Sequence, residues 1–418
     1  MIALGLALQA RGHRATILTN DYFEELIEKC GLGFIAVGTA EQARAAIADP
    51  NLWRPIKGFE VVARRAILPS MRPVFHLIEK HTTADTVVVA SGISFGARIA
   101  QEKLGIPLAT VHLQPSIIRS LVDYGMFGQM RISSSQPMSF KRAFFRIADW
   151  LLVDRVLKEP INEFRRTLGL QSVDRVLHRW VHSPQLIIGF FPDWFASPQP
   201  DWPPHTHLVG FPLWDRGGLL LPPDAEEFIA EGQPPVIITP GSAAATMQNY
   251  FRESVEAVRL LGVRTILVTD FPEQLPPDLP ANVKAFRYLP FSRILPRATL
   301  LVHHGGIGTL AQVIKAAIPH LVVPNGHDQF DNGWRIEQLR LGQVIPQTRY
   351  RARQVARVIR DLLSDGSLKN RCEEYGARVD SAAALTRACE LIEGLAVSSN
   401  LRRQGQTSDE HLMEESTD

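Results

Sequence analysis

The chain has 418 residues, of which 45% are hydrophobic and 21% charged, as in globular proteins of about two domains. Its net charge of +2 argues against nucleic acid as a partner, because no strong field would attract a polyanion. Three cysteines without C-x-x-C spacing indicate neither a disulfide framework nor a structural zinc site. No apolar run approaches the ~20 residues of a membrane-spanning helix. We therefore expect a cytoplasmic protein.

Short apolar runs alternate with helical periodicity in the first half, which is typical of β-α units and a parallel sheet. A helix is predicted over Gly96–Gly105. The predicted strands are Ala15–Leu18, Thr86–Ser91, Pro107–Leu113, Leu186–Phe191 and His207–Pro212.

The same alternation returns in the second half and predicts another α/β domain. Residues 213–235 concentrate Pro, Gly and acidic residues, which is typical of an exposed linker. We therefore predict domains at 1–212 and 236–395, and a disordered tail at 396–418 because that segment is polar and lacks periodicity. The predicted strands are Val236–Pro240, Thr265–Thr269, Lys284–Leu289, Leu300–His304 and His320–Pro324.

Two loops at strand ends favour phosphate binding. "HHGGIGT" follows the strand that begins at Leu300, and Pro240-Gly241-Ser242 follows an earlier one. Each loop opens a helix, so backbone N–H groups and the positive helix terminus face outward, and glycine lets a ligand come close to the backbone. Plain tight turns are the alternative explanation. Asp328-Gln329 after a third strand adds groups suited to sugar hydroxyls.

The segment "YLPFSRILPRATLLVHHGGIGT…P…DQFDN" (Tyr288 to Asn332) resembles the family-1 glycosyltransferases of the GT-B fold. The similarity is greatest to the bacterial and fungal branch, which includes sterol glucosyltransferases, antibiotic glycosyltransferases and rhamnosyltransferases. It implies two Rossmann-like, doubly wound parallel-sheet domains facing a cleft. The N-terminal domain would bind an acceptor and the C-terminal domain a nucleotide-sugar donor.

The resemblance also implies roles for individual residues. The backbone of Leu289 would read the nucleobase, Tyr288 would stack on it, and His303 would contact the diphosphate. Asp328 and Gln329 would hold sugar hydroxyls, and neither a metal nor another cofactor is implied. The implied donor-binding residues are Ser242, Tyr288, Leu289, His303, Gly305, Gly306, Gly308, Thr309, Asp328 and Gln329.

Four further residues have different expected roles. His304 is expected to pack within its loop, and Asn332 to position a helix. Ala317 replaces the glycine that the family usually has before Ile-Pro, so it should tighten a turn without removing a ligand. His112 lies at a predicted strand end and is an alternative acceptor-side catalytic candidate.

The resemblance leaves the catalytic base unidentified. Family members carry it on a loop after the first strand, whereas this sequence begins within the helix that follows that loop. Either the start is misassigned or the short chain lacks a base and is inactive. Misassignment is favoured, because a doubly wound sheet without its first strand would leave neighbouring strands unpaired.

The expected reaction is inverting transfer of a hexose from a UDP- or dTDP-sugar to a hydroxyl of a hydrophobic acceptor. A non-catalytic nucleotide-sugar-binding partner of another glycosyltransferase is the alternative, and a nucleotide-sugar epimerase is disfavoured. The segment 116–158 mixes aromatic and basic residues where the family's acceptor loops lie. It fits ordinary amphipathic helices, or an apolar acceptor channel that could contact the inner face of a membrane. A lipid, sterol, carotenoid or polyketide acceptor remains open, as does the oligomeric state.

Overall fold

The computed structural model describes residues 1–54, 56–215, 219–241 and 247–414, with side chains up to residue 399. Each predicted strand overlaps a described one, although the strand predicted at His207–Pro212 ends at Leu208, and four further short strands of three or four residues were not predicted. The described strands are β1 (Thr16–Thr19), β2 (Gly33–Ala36), β3 (Val88–Ser91), β4 (Leu108–His112), β5 (Gly125–Phe127), β6 (Met130–Ile132), β7 (Leu186–Gly189), β8 (Thr206–Leu208), β9 (Val236–Thr239), β10 (Thr265–Val268), β11 (Val283–Phe286), β12 (Leu300–His303), β13 (His320–Val322) and β14 (Gly342–Val344).

The helices lie mainly between the strands, as a β-α architecture requires. The described helices are α1 (Ile2–Ala10), α2 (Glu24–Lys29), α3 (Ala40–Ile47), α4 (Lys57–Val62), α5 (Leu68–His81), α6 (Phe95–Leu104), α7 (Met138–Ala148), α8 (Arg155–Thr167), α9 (Pro223–Ala230), α10 (Gln248–Leu261), α11 (Phe291–Ile294), α12 (Ile307–Lys315), α13 (Gln329–Gln338), α14 (Ala352–Ser364), α15 (Gly366–Ala377) and α16 (Ser381–Glu414).

The first half contains two parallel sheets in the described residues. One has the order β3-β4-β7-β8, and the other is the pair β1-β2. Every residue of β4 and β7 is buried, because helices cover both faces of a parallel sheet. An antiparallel hairpin, β5-β6, lies outside these sheets.

The second half forms one parallel sheet with the order β11-β10-β9-β12-β13-β14. Counted from β9, this is the 3-2-1-4-5-6 order of a doubly wound fold. The chain reverses its direction of winding between β9 and β12. Ligands bind at such a switch point, outside the carboxyl ends of the strands.

The segment 213–235, predicted to be an exposed linker, contains α9. Ala225, Phe228 and Ile229 of this helix are buried against the second sheet. Their i, i+3, i+4 spacing gives the helix an apolar face, which outweighs the surrounding Pro and Gly residues.

The last helix, α16, returns to the first half of the molecule. Its residues Ala388, Cys389 and Ile392 pack against the sheet that contains β4 and β7, and Glu393 accepts hydrogen bonds from Arg11 at 2.8 and 2.7 Å. The helix extends to Glu414, into the segment where a disordered tail is predicted. In the described part of the chain, no helix is long and apolar enough to cross a bilayer.

Candidate functional site

The candidate site lies at the switch point of the second sheet. β9 and β12 are hydrogen-bonded neighbours, with His303 paired to Thr239 at their carboxyl ends. The two glycine-containing loops predicted to bind phosphate therefore start side by side. One leads from β9 through Gly241, and the other leads from β12 into α12.

The loop after β12 is built on two glycines with different tasks. Gly305 has a φ of +88°, and a Cβ there would lie 2.8 Å from Val322, so only glycine fits. Its N–H donates to His303 Nδ1 at 3.1 Å, so it is not free for a phosphate. Gly306 is the N-cap of α12 and provides no side-chain cap. The first-turn N–H groups that follow lack intrahelical acceptors and form the available anion cradle.

His303 does not face this cradle, contrary to the prediction. Its side chain is fully buried, and its Nδ1 accepts the Gly305 N–H, so the neutral ring carries its proton on Nε2. That nitrogen lies 3.1 Å from His320 Nδ1. Burial holds the pKa of His303 well below its ordinary value and lowers the pKa of His320 to about 3. His303 therefore supports the loop from beneath.

His304, predicted to pack within the loop, lies between the two glycine turns. A Cβ at Gly241 would lie 2.6 Å from its ring, and one at Gly306 would lie 2.3 Å from its Nε2. Its Nδ1 is buried and has no hydrogen-bond partner among the described residues. Burial lowers the pKa of His304 to about 4, so the ring is neutral and offers one N–H donor. Of the two histidines, His304 is therefore the one whose ring lies beside both glycine turns, whereas His303 is buried in the sheet.

Asp328 and Gln329 begin α13 beside the same loop, as expected from the order of β12 and β13. Asp328 Oδ2 accepts a hydrogen bond from Asn332 Nδ2 at 2.7 Å, and burial raises the pKa of Asp328. The side-chain amide oxygen of Gln329, Oε1, already accepts the backbone N–H groups of Asn325 and Gly326 at 2.8 and 3.2 Å. Only the donor end of the Gln329 amide is left for a ligand, which narrows the predicted role.

Asn332 is a positioning residue, as predicted. It is fully buried and donates from Nδ2 to Gly305 O at 2.9 Å as well as to Asp328. It therefore ties the glycine loop to the carboxylate of α13. Ala317 has a φ of +58°, which shows why glycine would suit this turn.

The residues predicted to contact the nucleobase are Tyr288 and Leu289. Leu289 is buried in the core, and the Tyr288 hydroxyl donates to Asp215 Oδ1 at 2.8 Å. The other oxygen of Asp215 accepts the Ser292 N–H at 2.9 Å. Tyr288 as a whole is 38% exposed. Sequence analysis missed Asp215, which no motif marks.

The other predicted residues divide as follows. Gly308 and Thr309 lie in the first turn of α12, and a Cβ at Gly308 would meet open space. Ser242 lies outside the described residues. His112 is 1% exposed and its Nε2 lies 2.9 Å from His182 Nδ1, so it is buried away from an acceptor.

No three His, Cys, Asp or Glu side chains form a metal-binding group in the ranges that the structure describes.

Two contacts that sequence analysis missed join the halves of the chain near Asp328. His327 has a φ of +55°, and its Nε2 lies 3.2 Å from Leu52 O, while its ring packs edge-on against Trp53 at 5.4 Å. One turn further along α13, Asp331 Oδ1 accepts the Met126 N–H at 2.9 Å. Nothing local in the sequence marks these pairs, because their partners lie more than 200 residues away.

Comparisons with known proteins agree with this geometry. Residues 263–392 match the C-terminal domain of the erythromycin biosynthesis protein CIII-like family. The O-mycaminosyltylonolide 6-deoxyallosyltransferase of Streptomyces fradiae is 26% identical over 415 residues, which cover 94% of this chain and 93% of the relative.

Solved glycosyltransferase structures share the fold over most of the chain. The glycosyltransferase of kitacinnamycin has a TM-score of 0.69 at 18% identity, covering 94% of this chain and 95% of its own. The spinosyn rhamnosyltransferase SpnG, complexed with thymidine diphosphate, has a TM-score of 0.65 at 19% identity, covering 93% and 95%. These similarities confirm the predicted GT-B fold and the predicted resemblance to family-1 glycosyltransferases, and residues 263–392 match the C-terminal domain of the erythromycin biosynthesis protein CIII-like family.

Proposed function

We propose that the chain transfers a hexose from a UDP- or dTDP-sugar to a hydroxyl of an apolar small-molecule acceptor, with inversion at the anomeric carbon. The observation that carries this proposal is the position of His304. Its ring lies between the Gly241 and Gly306 turns, at the N-terminus of α12 and at the switch point of the sheet.

The diphosphate would be held by protein dipoles and one imidazole. The first-turn N–H groups of α12 and the positive end of its dipole favour an anion, and His304 adds a neutral N–H donor. These groups stabilise the negative charge that develops on the leaving diphosphate. We propose that this suffices without a metal ion. The thymidine diphosphate bound by SpnG supports a nucleoside diphosphate as the ligand.

The sugar would lie between the diphosphate and α13. A carboxylate at Asp328 accepts two hydroxyl hydrogen bonds, and the free NH₂ of Gln329 donates one. Asn332 fixes Asp328 relative to the glycine loop. These contacts would orient the sugar so that its anomeric carbon faces the cleft. Such positioning lowers the barrier to the reaction.

Inversion requires one in-line displacement. The acceptor oxygen forms a bond to the anomeric carbon while the bond from that carbon to the diphosphate oxygen breaks, and the hydroxyl proton passes to a general base. His112 is a poor base in this structure, because it is buried and hydrogen-bonded to His182. The residue that accepts the proton is therefore left unassigned.

The acceptor side supports an apolar substrate. Tyr124, Phe127, Phe144 and Phe145 form an aromatic cluster within the segment 116–158. Tyr124 also lines a cavity of about 180 Å³ together with three tryptophans. The Streptomyces fradiae relative is named for O-mycaminosyltylonolide, and a second SpnG structure holds the spinosyn aglycone. Both names support a polyketide-type acceptor over the other predicted classes.

The direct test incubates the chain, both at its present length and extended by its in-frame upstream residues, with UDP-glucose or dTDP-rhamnose and a panel of apolar alcohols. We expect a glycoside whose anomeric configuration is opposite to that of the donor, as read from the proton coupling constant of the product. A product of retained configuration would contradict inversion. Tight binding of the nucleotide sugar without any product would favour the non-catalytic alternative.

Asp328→Asn should weaken binding of the intact nucleotide sugar by roughly 1–3 kcal/mol, the range for a hydrogen bond to a charged group, and leave nucleoside-diphosphate affinity nearly unchanged. Because burial raises the pKa of Asp328, the wild-type carboxylate gains a proton as the pH falls through a range above the ordinary ~3.9. The preference for nucleotide sugar over nucleoside diphosphate should therefore decline in that range.

Calorimetric titration of both ligands across pH 4 to 8 checks this expectation, with Asp328→Asn as the reference that should lack the pH response. The assignment of Asp328 to a sugar hydroxyl fails if both ligands weaken equally in the variant. It also fails if the variant retains the pH response.

A further inference from the structure

The outer face of α7 is an exposed apolar stripe. Helix α7 continues through a wide helical turn, Asp149–Asp154, into α8. Over this length Ile147 is 55% exposed and Trp150 is 69% exposed. Large apolar side chains are normally buried, because their contact with water is unfavourable. The stripe consists of Phe140, Ala143, Ile147, Trp150 and Leu151, all exposed and spaced at helical intervals. It is about 16 Å long at 1.5 Å per residue.

The inner face of the same helix is firmly anchored, so the stripe is a fixed feature. Phe145 is 1% exposed and packs on Tyr124 with ring centroids 5.2 Å apart. Lys141 is buried and donates to Val122 O at 2.9 Å. Asp149 is buried and accepts two hydrogen bonds from Arg119, at 2.7 and 2.8 Å.

The exposed charges between Met138 and Arg155 are of one sign. From Met138 to Arg155, the exposed charged residues are Arg142, Arg146 and Arg155. The acidic residues of this segment are turned inward: Asp149 is buried beside Arg119, and Asp154 is partly buried. None of the three arginines has an ion pair with a described residue. An apolar stripe with a cationic margin therefore faces solvent.

We propose that this stripe docks the protein on an anionic lipid surface. An amphipathic helix with Trp and Phe on one face and arginines beside it lies in the headgroup region, where the apolar side chains leave water and the cations meet lipid phosphates. Trp150 suits this depth, because tryptophan is enriched at membrane interfaces.

Charge complementarity favours lipid over a second copy of the chain. In a two-fold symmetric dimer, each patch would meet the same patch of its partner. Three arginines would then face three arginines across an apolar contact, and like charges across an interface are unfavourable. The proposal does not depend on the sugar-transfer reaction, and its test requires neither donor nor turnover.

The test is flotation of the full chain with vesicles of phosphatidylcholine alone, and of phosphatidylcholine with about a quarter phosphatidylglycerol. We expect stronger binding to the anionic vesicles, weakened by salt. The double variant Arg142→Gln/Arg146→Gln should bind anionic vesicles about 25-fold more weakly, because each basic residue near the surface contributes about fivefold. Ile147→Ser/Trp150→Ser should lose at least about tenfold on the same vesicles.

Matched controls come from elsewhere on the surface. Leu260→Ser removes a half-exposed leucine from α10, and Arg353→Gln/Arg357→Gln removes two exposed arginines one turn apart on α14. Both controls should bind vesicles like the wild type. All variants should keep the wild-type melting temperature and nucleoside-diphosphate affinity. These two measurements distinguish a loss of membrane docking from a loss of the fold.

Several results would overturn the proposal. One is equal binding to neutral and anionic vesicles, and another is an equal loss in the controls. A third is a dimer in sedimentation analysis that Trp150→Ser converts to monomer, since the stripe would then be an interface between copies of the chain.

Discussion

Replacing His304 with alanine should weaken nucleoside-diphosphate binding by roughly 1–3 kcal/mol, or about 5- to 150-fold, with little change in melting temperature. The ring lies between the Gly241 and Gly306 turns, and its Nδ1 has no partner among the described residues. Removing the His304 ring therefore breaks no internal hydrogen bond of Nδ1. It does remove a hydrogen-bond donor from the anion cradle at the N-terminus of α12. Calorimetric titration with UDP and dTDP measures the effect.

His303→Ala and His76→Ala are the informative comparisons. His303 is fully buried and holds the Gly305 N–H, so its removal should lower the melting temperature. His76 lies exposed on α5, and its removal should change neither quantity. If His303→Ala abolishes binding in a protein of unchanged stability while His304→Ala binds normally, our reassignment is wrong.

Asp331→Ala should destabilise the fold by about 3–5 kcal/mol, the cost of breaking a buried ion pair. Asp331 is 1% exposed; its Oδ2 accepts from Arg335 Nε at 2.8 Å, and its Oδ1 accepts the Met126 N–H. The variant leaves the Arg335 guanidinium without its carboxylate. It also releases the hairpin β5-β6 from α13. Denaturant unfolding gives the free energy, and proteolysis within residues 123–132 should accelerate.

Asp361→Ala on the exposed face of α14 serves as the control and should change stability little. The double variant Asp331→Ala/Arg335→Ala should lose less than the sum of the two single variants, because residues in contact are not additive. A loss below about 1 kcal/mol for Asp331→Ala would mean that the pair behaves like an exposed salt bridge.

The parallel strands were predictable because they are buried on both faces. Leu300–Val302 and Val236–Ile238 read as continuous apolar runs for that reason. The loop after β12 was predictable for a different reason. A strand, a glycine turn and a helix start follow one another directly in the sequence, so their joint geometry is local.

The choice between His303 and His304 depended on where β12 ends. Successive side chains of a strand point to opposite faces, so a shift of one residue exchanges a buried histidine for an accessible one. The register that pairs His303 with Thr239 and Val322 keeps His303 in the sheet and makes His304 the first residue of the loop. Periodicity places strand ends only to within a few residues and could not separate these neighbours.

The sequence by itself determined the fold class and the position of the switch-point loops, and it predicted a donor-binding segment from Tyr288 to Gln329, since each rests on patterns within a few residues of the chain. Only the tertiary structure decided the bond between Met126 and Asp331, the contact of His327 with Leu52, and the packing of α16 on the first sheet. Each of these joins residues that are far apart in the sequence. Such contacts depend on how the elements pack, which composition and periodicity do not encode.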